Sequence, residues 1–260
     1  IFRRLAFALV TLWLVVSAAF FLIRAAPGGP FDGERRLPPA IEKNLLASYH
    51  LDEPLPVQYW RYLRMVGGGD LGPSFKQKDF TVNELIRAGL PISLGVGISA
   101  FLLSLLFGTL LGTLAALGHN TFRDRLLSGL ATLGLAFPPL IVAPVLVLVF
   151  AVGLAWLPAG GHTGPQHYVL PTIALSLPYI AAFARLSRVG CLEALGLPHV
   201  TTARSKGLSR RRLIFQHVLP SAIVPVLSYS GPAAAALLAG SMVVEEVFSL
   251  PGLGRYFVQG

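Results

Sequence analysis

Four stretches of this chain contain no Asp, Glu, Lys or Arg: residues 5–23, 88–122, 126–184 and 213–244. About 20 apolar residues in a helix rising 1.5 Å each cross a hydrocarbon layer roughly 30 Å thick, so each stretch is long enough to span a bilayer. The third holds two spans, because WLPAGGHTGPQH at 156–167 interrupts it with the Pro, Gly and polar residues of an interfacial turn. Five spans are predicted, at 5–23, 93–117, 127–153, 170–187 and 220–243. Only 13% of residues are charged, against roughly 25% in soluble domains. The fold class is therefore all-α integral membrane.

Charge predicts orientation. With the N-terminus in the cytoplasm, the inner segments carry eleven basic and two acidic residues, and the outer segments ten of each. All of the formal charge of +9 then lies inside, as the positive-inside rule requires. A pI near 10.2 suggests nucleic acid in a soluble protein, but here the charge reads as topogenic and no nucleic-acid partner is expected. The first apolar run, 19 residues after Arg3-Arg4, exceeds the ~7–15 residues of a secretory signal core and reads as an uncleaved span. Ile1 is not a start methionine, so trimming at the N-terminus is expected. The single cysteine, Cys191, excludes an internal disulfide and reads as an inert, reduced thiol on the cytoplasmic side.

Residues 24–87 form an outer segment too small and too charged for an independent catalytic domain, and read as a helical cap. Pro38-Pro39 opens one predicted helix with Ile41, Leu45 and Tyr49 on a face. Pro56 opens a second, with Val57, Trp60 and Leu63 on a face, and Gly67-Gly68-Gly69 stops it.

Spans two to five are rich in small residues, among them Gly97, Ser104, Gly108 and Gly112, which let helices approach closely in lipid. Pro138-Pro139, Pro144, Pro178 and Pro232 free backbone carbonyls, which are tolerated where protein or a water-filled path satisfies them. Apart from Arg185 near the inner end of the fourth, no Asp, Glu, Lys or Arg lies in a predicted span, which argues against proton- or sodium-coupled carriage. None of the four lysines stands in G-x4-G-K-[ST], so no ATP site of that kind is present. Neither H-E-x-x-H nor a cysteine pair offers a zinc site, His162 and His167 read as loop residues, and no enzyme or metal site is proposed.

Between the fourth and fifth spans lies a polar island, 189–219. Within it HVTTARSKGLSRRRLIFQHVLP, His199 to Pro220, predicts two short helices, 199–206 and 210–218, with Gly207 in a left-handed cap and Ser209 as N-cap. Charge alone suits lipid headgroups. The spacing A-x3-G-x9-H-x-L-P is more specific, and resembles the E-A-A-x3-G-x9-I-x-L-P loop of ABC-importer membrane subunits. Thr201 and Thr202 replace the E and first A, and His217 replaces the I. ARSKGLS, PLPVQYWRYL and GDLGPSF are similar to the peptide-permease branch. APGGPFDGERRLPP is closer to oligopeptide B-type subunits than to their dipeptide relatives. VVEEVFSLPGLGRYF, Val243 to Phe257, resembles the E-x-x-F-x-x-P-G-L-G segment of the same branch.

The resemblance implies a type I importer transmembrane domain, 1–260, whose sixth span lies beyond this sequence. It implies a permease subunit moving short peptides, oligopeptides first, across a bacterial inner membrane by alternating access. Thr202, Ala203, Arg204, Lys206 and Gly207 would face an ATPase, with Ser209 and Arg210 at the edge. This chain would bind no cofactor; ATP and Mg would sit on two partner ATPases. A second permease, an extracytoplasmic peptide-binding protein and membrane lipid complete the expected partners. Ser228, Tyr229 and Gly231 are candidates for the path. Glu245, followed by Phe248, lies at the translocation mouth or is simply solvated. The alternative function is a secondary carrier or channel in which the island only sets topology.

Overall fold

The computed structural model describes residues 2–25, 52–74, 77, 80–240 and 242–259, and every element among them is helical except an isolated bridge between Pro73 and Thr81. The chain divides into two compact units, Ile1–Glu84 and Leu85–Gly260.

In the first unit, α1 (Phe2–Ala25) packs on α2 (Leu55–Gly67). The face that α2 uses is not the expected one. Val57 and Trp60 are 47% and 65% exposed, whereas Tyr59 hydrogen-bonds Ser17 at 2.6 Å and Gln58 accepts from Arg24 at 2.8 Å. Phe20 sits between the Tyr59 and Tyr62 rings, with the Arg24 guanidinium 3.6 Å from its centroid. Tyrosine wins over aliphatic side chains because its ring packs while its hydroxyl meets a polar partner inside α1. Gly69, at φ +79°, turns the chain after α2. The helix expected from Pro38-Pro39 lies outside the described residues.

Helix α3 (Val82–Leu117) begins in a capping box: the Glu84 carboxylate accepts from the Thr81 amide at 2.8 Å, and the Thr81 hydroxyl accepts from the Glu84 amide at 3.2 Å. Its 36 residues run for about 54 Å at 1.5 Å each, well beyond the predicted span.

In the second unit the expected single helix over 127–153 is broken. Helix α4 (Phe122–Ala136) meets α5 (Pro139–Leu146), which continues as π-helix over Val147–Gly153; the two limbs bend by 100°. Pro138 and Pro139 donate no hydrogen bond, and Phe137 before them is driven to an extended φ −103°, ψ 113°. Among the described residues, four helical stretches are therefore long and apolar enough to cross a bilayer, or five if the bent pair is one span.

A 3-10 turn, Pro165–Tyr168, leads into α6 (Val169–Leu195), the central helix of this unit. It meets α3 where glycine removes the side chain: a Cβ at Gly108 would lie 2.5 Å from the Phe183 Cβ, and one at Gly112 would collide with the Ala184 carbonyl. Buried hydroxyls join the same pair of helices, Ser104 to the Ser176 carbonyl at 3.1 Å and Thr113 to Ser187 at 3.1 Å. At one end of α4, Asp124 is 4% exposed and takes Arg188 of α6 in a bidentate pair at 2.7 and 2.8 Å.

The island supplies α7 (Pro198–Ser205) and α8 (Arg210–Leu213), the latter continued as π-helix over Ile214–Val218. Then follow α9 (Leu219–Ala222), α10 (Val224–Leu238), α11 (Met242–Val247) and α12 (Leu253–Gln259).

Candidate functional site

Pro198 at the first turn of α7 and extended Leu197 before it start the helix locally. Gly207 ends it at φ +77°, with no atom within 4 Å of where a Cβ would stand. The glycine is required by backbone conformation alone, not by crowding. Ser209 occupies the N-cap position of α8 as expected, but its side chain makes no capping bond.

The island is seated, not tethered. Val200 and Ala203, one turn apart on α7, are 0% and 5% exposed and pack with Ala116 of α3, Cys191 and Ala194 of α6, and Leu213, Val218 and Ala222. Arg210 donates to the Leu117 carbonyl at the end of α3, at 3.2 Å. His199 approaches the His217 carbonyl at 3.3 Å, which ties α7 to the π-helical turn. Movement of α7 must therefore carry α3, α6 and the start of α9 with it.

Ala203 corrects one expectation: it points into this cluster rather than outward with its neighbours. The outward face holds Thr201, Thr202, Arg204, Ser205, Lys206 and Gly207, all exposed. Thr202 and Ser205 return their hydroxyl protons to carbonyls four residues back, at 2.9 and 3.1 Å, so the face presents two cations on an otherwise closed polar surface. Ser209 and Arg210 are exposed beside it.

Glu245 and Phe248 give the second correction. Neither is solvated: they are 2% and 0% exposed. The Glu245 carboxylate accepts from the Ser93 hydroxyl at 2.7 Å and from the Gly254 amide at 2.6 Å, while Ser93 accepts from the Leu253 amide at 2.8 Å. A Cβ on Gly252 would lie 2.6 Å from the Ser93 hydroxyl. The P-G-L-G run thus wraps the carboxylate, and Phe248 anchors the turn among Val96, Leu170 and Leu250.

The three path candidates on α10 divide. Ser228 and Gly231 are exposed; Ser228 donates to the Val224 carbonyl at 2.9 Å. Tyr229 lines a groove of about 470 Å³ with Leu135, Pro139, Leu175, Pro178, Tyr179, Ala182, Ala236 and Gly240, its ring edge-on to Phe183 at 5.3 Å. Tyr179, not a candidate from sequence, is the groove's other polar group. Its signal was a phenol near the middle of a predicted span, directly after a helix-interior proline.

Residues 108–260 match the family of binding-protein-dependent transport system inner membrane components. The whole chain is 48% identical to the oligopeptide transport system permease protein OppB of Salmonella typhimurium, over 86% of that protein. It is 46% identical to OppB of Escherichia coli K12 over the same shares. Over 96% of its length it is 41% identical to the dipeptide transport system permease protein DppB of Bacillus subtilis, covering 81% of it. Among solved structures, the inward-facing MetNI methionine ABC transporter aligns over 68% of this chain and 80% of its own, at 17% identity and a TM-score of 0.56. An amino acid ABC transporter with histidines aligns over 68% and 78%, at 20% identity and a TM-score of 0.53. These two likenesses concern the fold.

Proposed function

This chain belongs to the family of binding-protein-dependent transport system inner membrane components, and from that membership we propose how it moves its cargo. It is the multi-pass inner-membrane permease subunit of a bacterial peptide importer, and not itself an enzyme. ATP with Mg is bound and hydrolysed on two separate ATPase subunits, which dock on α7. A second permease encloses the path, and an extracytoplasmic binding protein delivers oligopeptides. With the N-terminus in the cytoplasm, α7 faces the ATPases, and the segment 24–87 faces outward.

One observation carries this reading: the eight residues of α7 are locked to α3 and α6 on one side and left open on the other. A rigid-body shift of a docked ATPase therefore tilts the attached spans together, which is alternating access in mechanical form. Thr202, Arg204, Lys206 and Gly207 make the docking face, with Ser209 and Arg210 at its edge. Ala203 acts from behind, holding that face in place. The alternative of a self-powered carrier or channel gives way to the family membership.

The test reverses charge where folding is indifferent. Arg204→Glu with Lys206→Glu alters two exposed cations, so membrane insertion and thermal stability stay unchanged while ATPase retention and peptide uptake fall by an order of magnitude. Full uptake in that variant refutes docking at α7.

A further inference from the structure

We infer that the groove between Tyr179 and Tyr229 is where a peptide's main chain is held midway through the permease, the two phenol hydroxyls replacing water on its amide groups. This rests on the reading of the chain as a peptide permease and says which chemistry that path uses.

Groove and lipid faces are told apart by side-chain type. On α3 the outward stripe is Leu102, Leu106, Leu110 and Leu114, between 47% and 65% exposed, the composition hydrocarbon tails require. On α10 the residues Ser228, Tyr229, Pro232, Ala235, Ala236 and Ala239 share a sector of about 120° at 100° per residue. No Leu, Ile, Val or Phe interrupts it. Pro232 also withholds the amide that the Ser228 carbonyl would otherwise accept from, and a freed carbonyl at membrane depth is tolerated beside protein or a water-filled cavity, not beside lipid.

The two tyrosines carry the argument further. Both line the same groove, and no other lining residue is polar or charged in its side chain. Tyr179 is 14 residues from the start and 16 from the end of the helical stretch Pro165–Leu195, near its centre. Neither hydroxyl has a hydrogen-bond partner among the described residues, although the Tyr229 ring is fixed against Phe183. Both side chains are only half-buried, so each hydroxyl is open to a partner within the path.

An extended peptide supplies it. Its main chain offers N–H and C=O groups whose desolvation is costly unless they are paired, and a phenol hydroxyl both donates and accepts. Recognition of that kind is blind to side chains. With no charge in the groove, neither acidic nor basic residues on the cargo are attracted or repelled by an ion pair. Selection among peptides by charge is then left to other components.

The experiment uses the full-length chain assembled with its partner permease, ATPases and binding protein in proteoliposomes, at saturating peptide. The probes are Ala-Ala-Ala, Ala-Lys-Ala, Ala-Glu-Ala and an Ala-Ala-Ala analogue with one amide replaced by an ester. Tyr179→Phe and Tyr229→Phe keep the rings and are expected to keep thermal stability. Each lowers uptake per ATP by roughly three- to ten-fold, the worth of one hydrogen bond, equally for the three peptides and less for the ester analogue. Unchanged uptake in both variants overturns the inference, as occurs if a helix of the second permease fills the groove. A loss that depends on Lys against Glu overturns it too. If the unaltered assembly imports none of the peptides, the proposed function itself fails, which separates that failure from this one.

Discussion

Removing Arg188 tests whether the α4–α6 clamp is held by charge or merely by packing. Asp124 is 4% exposed and accepts four hydrogen bonds: two from Arg188 at 2.7 and 2.8 Å, one from the Asn120 amide at 3.1 Å and one from Ser128 at 3.2 Å. Arg188→Met keeps the stem and strips both short, charge-assisted bonds, leaving a buried carboxylate with the Asn120 amide, the Ser128 hydroxyl and the His119 ring at 3.4 Å. Breaking such a pair costs about 3–5 kcal/mol, which at 2–4 °C per kcal/mol corresponds to a loss of roughly 6–20 °C in melting temperature. Asp124→Leu costs less, because the Arg188 side chain is 28% exposed and can extend its head to water. The double variant Asp124→Leu/Arg188→Met removes both charges and is expected within about 1–2 kcal/mol of the parent. A thermal-shift cycle on the detergent-solubilised protein measures all four species. If the double variant loses the sum of the two single losses, the pair is not coupled and the electrostatic account fails.

Three further outcomes are expected. Gly112→Ala places a Cβ on the Ala184 carbonyl and should cost about 1–3 kcal/mol by forcing α3 from α6, whereas Gly129→Ala, with nothing within 4 Å, should be neutral or stabilising; equal melting points refute the close-contact reading. Glu245→Gln exchanges one acceptor for a donor against Ser93 or the Gly254 amide, costing about 1–3 kcal/mol and seen as faster hydrogen exchange over residues 248–256. Tyr59→Phe removes the 2.6 Å bond to Ser17 and should loosen α1 from α2 by about 1 kcal/mol, read as increased proteolysis of that pair; unchanged cleavage refutes it.

Local grammar made much of this molecule readable before any coordinates. Uncharged length demanded membrane helices, because charge in hydrocarbon is costly and a helix satisfies its own backbone. Leu197-Pro198 and Gly207 placed α7 to within a residue or two, since both act through their own φ and ψ. Pro138-Pro139 stood out for its freed carbonyls, but neither the break there nor its 100° angle was legible.

Pairings across the chain were not readable. Asp124 and Arg188, 64 residues apart, counted as two loop charges until the α4–α6 packing joined them. Glu245 read either as an acid at the translocation mouth or as a solvated one, with no sign that the P-G-L-G turn folds over it or that Ser93, 152 residues away, reaches its carboxylate. Ala203 is small enough to lie on either face of α7, and only the neighbouring ends of α3 and α6 select the inner one. Composition and backbone preference act within a few residues, so they set which segments are helical and where they stop. Which side chains meet depends on how those helices cross, and that is decided by contacts between positions far apart in the chain.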